Sequence, residues 1–348
     1  MIWLIQPGEE LPIDPGTPRL LRTGILAKML VSQGHKVTYW TSTFSHARKT
    51  QRFGTDTDIN VRDNYKIKLL RSPGYSKNIS VRRVYDHILL GRQFTRQASY
   101  ETKPEIILCS MPTIELSLAA TEYGKKLNVP VVLELRDMWP DIFLEAVPGW
   151  ARPAGRVILS PMFRNLKKAC ENATAIFGIT DEFLEWGLKY AGRKRNSFDA
   201  VFYHGYSPVK PNKSEIDAAE SFWKKHGIWQ ENGRFIACFF GYFGRQFEIE
   251  TVLEAARKLE DSKANIQFVL CGDGDKFEHY KLMAKDLNNV VLPGFVGHPE
   301  IWTLMRMASV GLAPYKSTTN FTGNIPNKVG EYLSAGLPII SSLQGALH

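Results

Sequence analysis

Cysteine is scarce in this chain and long apolar runs are missing, and each shortage removes a class of explanation. The four cysteines, Cys109, Cys170, Cys238 and Cys271, are far apart along 348 residues, and three of them end apolar strand-like runs. That spacing argues against a disulfide framework or a metal cluster and for reduced core residues. No stretch approaches the roughly 20 apolar residues that span a bilayer. The chain enters an apolar run, Ile2-Trp-Leu-Ile5, with no basic segment before it, so no secretory signal is expected. Low-complexity tracts are also missing, and 44% hydrophobic with 23% charged residues is ordinary for a folded protein. These features lead us to expect a cytoplasmic location.

Acid is the other relative shortage. Lys and Arg number 44 against 35 Asp and Glu, a net charge of +9, which suggests an anionic partner. The charge is uneven. Val81, Val84, Tyr85, Ile88 and Leu89 recur at helical spacing among Arg82, Arg83, Arg92 and Arg96. A second pattern sets Leu159, Met162, Phe163 and Leu166 against Arg152, Arg156, Arg164, Lys167 and Lys168, with no acid until Glu171. Both read as basic amphipathic helices, either solvated faces or docking surfaces for an anionic membrane. Nucleic acid is disfavoured, because no basic stripe is interleaved with stacking aromatics.

Short β-rich runs alternate with helical patterns. Strands are expected at residues 2–6, 36–40, 66–70, 105–109, 129–135, 173–179 and 199–203, with a helix over 17–33 that stops at Gly34. After Ser207-Pro-Val-Lys-Pro-Asn-Lys213 the alternation restarts at 235–240, 266–270, 290–292, 310–313 and 338–341. Repeated βαβ units imply parallel sheets covered by helices on both faces. The expected division is residues 1–206, a linker region and connecting helix over 207–233, and a second domain over 234–348.

In such folds ligands sit at the carboxyl ends of the strands, and the loops there are rich in glycine and charge. They carry Gly16, Arg136-Asp137-Met-Trp-Pro-Asp141, Phe240-Gly-Tyr-Phe-Gly-Arg245, Gly272-Asp273-Gly274 and Pro293-Gly-Phe-Val296. The last is Asn320-Phe-Thr-Gly-Asn-Ile-Pro-Asn-Lys-Val-Gly-Glu331, a flexible loop opening a helix. A helix start aims unpaired N–H groups and partial positive charge at whatever lies before it. Each loop alone is a weak signal; together they describe a cleft for a nucleoside diphosphate.

With these motifs, together with Gly34-His-Lys-Val37 and Tyr203-His-Gly205, the chain resembles over nearly its whole length the retaining glycosyltransferases of family 4. The likeness is to bacterial enzymes that build lipid-linked surface polysaccharides, including O-antigen. It implies the GT-B fold: α/β, two facing doubly wound Rossmann-like domains with an interdomain cleft. By that resemblance Glu331 binds the donor ribose, and Gly323, Asn324 and Ile325 meet the diphosphate and transferred sugar. Arg245 and Lys328 neutralise the diphosphate, Val296 contacts the base through its backbone, and Gly16 approaches from the first domain. Gly272 and Asp273 belong to the donor-side loops, while Arg136 and Asp137 stand where sugar contacts are made.

Three departures stand out: Gly323 replaces the usual first glutamate, Arg136 the usual histidine, and Gln246-Phe247-Glu248 the usual lysine. The second domain is also expected to be cut short at its C-terminus. The activity implied is hexosyl or N-acetylhexosaminyl transfer from a nucleotide sugar, UDP-sugar favoured, to a polyprenyl diphosphate-linked saccharide. No metal or other cofactor is expected, because protein cations neutralise the leaving phosphate, and the expected location is peripheral, at the inner face of the cell membrane. The alternatives are a nucleotide-sugar epimerase of the same fold and a non-catalytic nucleotide-sugar-binding subunit.

Overall fold

The computed structural model describes residues 1–15, 18, 20–78, 80–145, 147–206, 209–229 and 233–347. It separates into two compact units, Met1–Tyr203 and His204–His348. Ser207 and Pro208 of the expected linker, and Gly16, lie outside the described residues.

The first unit is built on an eight-stranded sheet. Its strands are β1 (Ile2–Ile5), β2 (Val37–Ser42), β5 (Thr57–Arg62), β6 (Tyr65–Leu70), β7 (Ile106–Ser110), β8 (Val131–Leu135), β9 (Ala175–Gly178) and β10 (Ala200–Val201), in the order β10-β9-β8-β7-β1-β2-β6-β5. A small hairpin, β3 (Phe44–Ser45) with β4 (Thr50–Gln51), stands apart from it. All neighbours in the large sheet are parallel except β5, which runs antiparallel to β6 at the edge. Every residue of β2 and β8 is buried, as expected for parallel strands covered on both faces. Around the sheet lie α1 (Arg22–Ser32), α2 (Val81–Ala98), α3 (Ile114–Leu127), α4 (Asp141–Glu145), α5 (Arg152–Ile158), α6 (Ser160–Asn172) and α7 (Asp181–Ala191). Trp3, Trp40 and Phe94 meet in its core, with ring centroids 4.9 and 5.1 Å apart for the Trp3–Trp40 and Trp40–Phe94 pairs.

The second unit opens with α8 (Lys213–Lys225), started by a capping box. Asn212 accepts from the Glu215 N–H at 3.0 Å, and Glu215 accepts from the Asn212 N–H at 2.8 Å. Trp223 anchors this helix in the core of the unit and donates to the Glu300 carbonyl at 2.9 Å. Five parallel strands follow: β11 (Phe235–Phe240), β12 (Ile266–Cys271), β13 (Val290–Gly294), β14 (Val310–Ala313) and β15 (Ile339–Ser341), in the order β13-β12-β11-β14-β15. They alternate with α9 (Ile249–Asp261), α10 (Phe277–Met283), α11 (His298–Met307), α12 (Thr319–Thr322) and α13 (Asn327–Ser334).

The expected strands are present with shifted ends. Two elements were not expected, the β3–β4 hairpin and β5. Thr57-Asp-Ile-Asn-Val-Arg62 alternates half-buried and exposed residues. That is the period of an edge strand with one wet face, and it lacks the continuous apolar run that marks the parallel strands.

Candidate active site

The strand order of the second unit places β11 beside β14, and the connections from these two strands lead to opposite sides of the sheet. This is the switch point at which doubly wound sheets open a crevice. The loops around it are laced backbone to backbone. Gly241 donates to Cys271 O at 3.0 Å, Gly272 to Gly294 O at 2.8 Å, and Phe243 to Asp273 O at 2.9 Å. Such closeness needs glycine. A Cβ on Gly272 (φ +142°) would lie 1.8 Å from Gly241 O, and one on Gly274 (φ +154°) would lie 2.7 Å from Phe243 O. Arg245 is exposed on the loop after β11. Asp273 is exposed too and accepts from the Gly274 N–H at 2.7 Å. Asp275, which the motif reading leaves out, completes an Asp-x-Asp spacing and bonds Tyr242. Among the described residues no cluster of three or more His, Cys, Asp or Glu is arranged to hold a metal ion.

The loop and helix over 320–331 carry the most unusual side chains. Lys328, on the first turn of α13, is buried, and its amine lies 3.9, 4.0 and 5.0 Å from the ring centroids of Phe239, Phe247 and Tyr315. It has no hydrogen-bond partner. Burial pushes its pKa well below the ordinary lysine range, with Glu331 opposing. So Lys328 stands beneath Gly241, 3.0 Å from where a Cβ there would be, and not at a wet helix mouth. Asn324 Oδ1 is a second buried polar atom without a partner. An unsatisfied buried polar group costs about 1–3 kcal/mol, and two in one loop-helix segment mark a place shaped for something polar. Glu331 is 3% exposed on the same helix. Gly323 is buried and Ile325 half-buried. Val296 puts its side chain in the core. Beside it Phe295 is 82% exposed, a large aromatic that no motif singled out.

In the first unit Arg136 lies in a buried ion-pair network. Its side chain, 12% exposed, pairs with Glu9 and with Glu134, the latter at 2.6 Å, and donates to Thr23 Oγ1 at 2.8 Å. Burial works against its charge, but Glu134 and Glu9 outweigh it and hold its pKa raised. Glu134 also accepts from Arg22 and, at 2.5 Å, from Ser110 Oγ. Burial alone would raise Glu134; Arg136 and Arg22 hold it below the usual range. Glu9 in turn accepts the Thr23 and Gly24 N–H groups at 3.0 and 3.2 Å, capping α1 from outside the helix. Arg136 therefore neutralises two buried carboxylates. Asp137 next to it is half-buried and acts electrostatically on Arg83. Asp141, which closes the same motif, accepts from Trp186 Nε1 at 2.9 Å and Tyr190 OH at 2.6 Å.

With this geometry in place, residues 234–348 match the family described as Glycosyl transferases group 1. This stretch is a glycosyltransferase domain. By it the chain is a glycosyltransferase, and solved structures extend the likeness to the whole fold. WaaG, a glycosyltransferase involved in lipopolysaccharide biosynthesis, superposes with a TM-score of 0.64 at 12% identity, over 99% of this chain and 82% of that one. Anabaena HepE in complex with UDP and glucose gives 0.61 at 14% identity over 99% and 82%. A trehalose-phosphate synthase (UDP-forming) from Burkholderia vietnamiensis gives 0.62 at 12% identity over 100% and 86%. At these identities the likeness establishes the fold, which is GT-B. No curated protein sequence matches the chain.

Replacing Arg136 by Met removes the arginine from Glu9 and leaves Glu134 with Arg22 alone. The expected cost is about 3–5 kcal/mol, read by chemical denaturation, with UDP affinity unchanged below the melting temperature. Weaker UDP binding at unchanged stability would return Arg136 to the ligand.

Proposed function

We propose that this glycosyltransferase moves a hexosyl or N-acetylhexosaminyl group, with retention, from a UDP-sugar to a lipid-linked saccharide in the building of a surface polysaccharide. The observation that carries the reading is the pair of orphaned buried atoms, Lys328 Nζ and Asn324 Oδ1, at the switch point of the glycosyltransferase domain. Similarity to HepE, solved with UDP-glucose, supports UDP as the carrier.

Charge grows on the diphosphate as the anomeric bond breaks, and fixed dipoles and cations stabilise it most. Arg245, Lys328, the backbone of Gly323, Asn324 and Ile325, and the N-terminus of α13 supply them in this reading, in place of a metal. Glu331 accepts from the ribose hydroxyls, the Val296 backbone meets the base, and Gly272 and Asp273 line the donor side. Asp137 orients a hydroxyl of the donor or acceptor. The engagement of Arg136 with Glu9 and Glu134, together with Gly323, favours a nucleotide-sugar-binding subunit as the second reading. UDP-sugar binding without transfer to any acceptor would select it.

The membrane part of the proposal rests on residues 146–170, which hold five cations and no acid. There α5 buries no side chain, and Trp150, Val157 and Ile158 are 87%, 73% and 77% exposed. Exposed apolar groups ringed by Arg152, Arg156, Arg164, Lys167 and Lys168 suit the interface of an anionic bilayer. On α2, Arg83 is not part of such a face; it is turned inward over Trp139 at 4.4 Å.

Glu331→Ala is expected to abolish UDP binding in calorimetry while the melting temperature holds; unchanged affinity would sink the ribose assignment. Lys328 yields a pH prediction. Its pKa is depressed in the free protein and rises when a diphosphate faces it. Binding then takes up a proton, and UDP affinity falls as pH climbs from the depressed value toward the ordinary lysine pKa of about 10.4. Calorimetry in buffers of different ionisation enthalpy should show that uptake in the wild type and lose it in Lys328→Met. For the membrane, co-sedimentation with phosphatidylglycerol vesicles should drop about ten-fold in a Trp150→Ser/Ile158→Ser variant. Equal binding to neutral phosphatidylcholine vesicles would count against the lipid assignment.

A further inference from the structure

A second set of cations gathers within the first unit, between the β3–β4 turn and α2. Lys49 and His46 lie in the turn between β3 and β4, where Lys49 takes a left-handed φ of 55°. Arg83 and His87 are on α2, and Tyr75 follows β6. The Tyr75 ring ties them together. Lys49 Nζ lies 4.8 Å from its centroid and the Arg83 guanidinium 5.3 Å. Its hydroxyl is 2.7 Å from His46 Nδ1. Lys49 Nζ is 3.2 Å from the same His46 nitrogen and donates to Asn78 Oδ1 at 2.6 Å. Arg83 donates to Asn78 O at 2.8 Å and to His87 Nε2 at 3.4 Å.

The described hydrogen bonds of both cations go to neutral partners, Asn78, His46 and His87. Two carboxylates face the group. Asp86 is committed to the Gly74 N–H at 2.6 Å and to Ser72. Asp137 acts on Arg83 electrostatically, as Asp86 does. The positive charges also strain one another. Burial, then Lys49 and Arg83, lower His46 to about 4. Burial, then Arg83, lower Lys49 to about 8. Burial, Arg83 and His46 lower His87 to about 3. Two half-buried cations gathered at one ring are short of negative charge, and the α2 N-terminus beside Arg83 adds partial positive charge. The aromatic ring offsets only part of that deficit.

We propose that Lys49, Arg83 and His46 form a binding site for a phosphate or diphosphate group in the first unit. Lys49 and Arg83 supply charge-assisted donors in the manner of phosphate sites. His46 becomes a further donor once the anion favours its protonated form. As the anchor for an acceptor's diphosphate the site rests on the transfer proposed above; as an anion site it stands without it.

The test uses the full chain and inorganic pyrophosphate, followed by NMR of the histidine side chains. UDP is present throughout, to occupy the diphosphate site proposed in the second unit. The expected result is a rise of about one unit or more in the His46 pKa. Pyrophosphate affinity should fall about ten-fold in Lys49→Ala, the loss of one charge-assisted contact, and return in Lys49→Arg. UDP affinity should stay unchanged in both variants, so failure here and failure of the donor assignment are separable. A His46 signal unmoved by millimolar pyrophosphate, or affinity unchanged in Lys49→Ala, overturns the site. Farnesyl diphosphate serves as the second probe. Tighter binding than pyrophosphate supports a lipid-linked source, and equal or weaker binding overturns that source in favour of a free anion.

Discussion

The contact between Gly241 and Gly272 is the constraint on which the second unit's crevice depends. Only a residue without a Cβ lets the β12 exit pass within reach of the Gly241 carbonyl. Gly274 repeats the device against Phe243. Held this way, the loop after β11 forms a roof over the β11–β14 divergence, and Lys328 is enclosed beneath it among Phe239, Phe247 and Tyr315. The amine's burial, its lack of a hydrogen bond and its depressed pKa are consequences of that roof. A bulkier loop would leave the lysine wet, screened by solvent and ordinary in its chemistry.

The sheets were legible in the sequence because parallel strands are buried on both faces and so read as unbroken apolar runs. The Phe235–Phe240 and Val310–Ala313 strands fall where those runs stand. β5 was not legible, because a half-wet edge strand looks like a polar loop. The glycine turns were legible as turns, but not as backbone contacts, since Gly241 and Gly272 are thirty-one positions apart and nothing local pairs them. Lys328 was visible as a cation one turn ahead of Glu331. Its burial was not, because the three rings around it come from β11, the loop after it and the segment after β14.

The ion pairs of Arg136 were only partly legible. Arg136 lies in a motif at a strand end, and such a position invites a ligand role. The counter-signal was one residue inside β8. Glu134 interrupts Val-Val-Leu-Glu-Leu, and a carboxylate in a fully buried strand must be paired or neutralised. The nearest arginine, two positions on, is its partner. Distance along the chain hid the other half of the network, Glu9 and Thr23. The net charge of +9 divides in the same uneven way. Some cations are internal counter-ions, some lie exposed along α5 and α6, and two are near the Tyr75 ring.

Glu9 has a further consequence. In a doubly wound unit the N–H groups that open the first helix are the usual seat of a nucleotide phosphate. Here those of Thr23 and Gly24 already hold a carboxylate of the protein's own chain, itself neutralised by Arg136. The first unit thus carries a resident phosphate mimic. A phosphate placed at that helix start would have to displace Glu9.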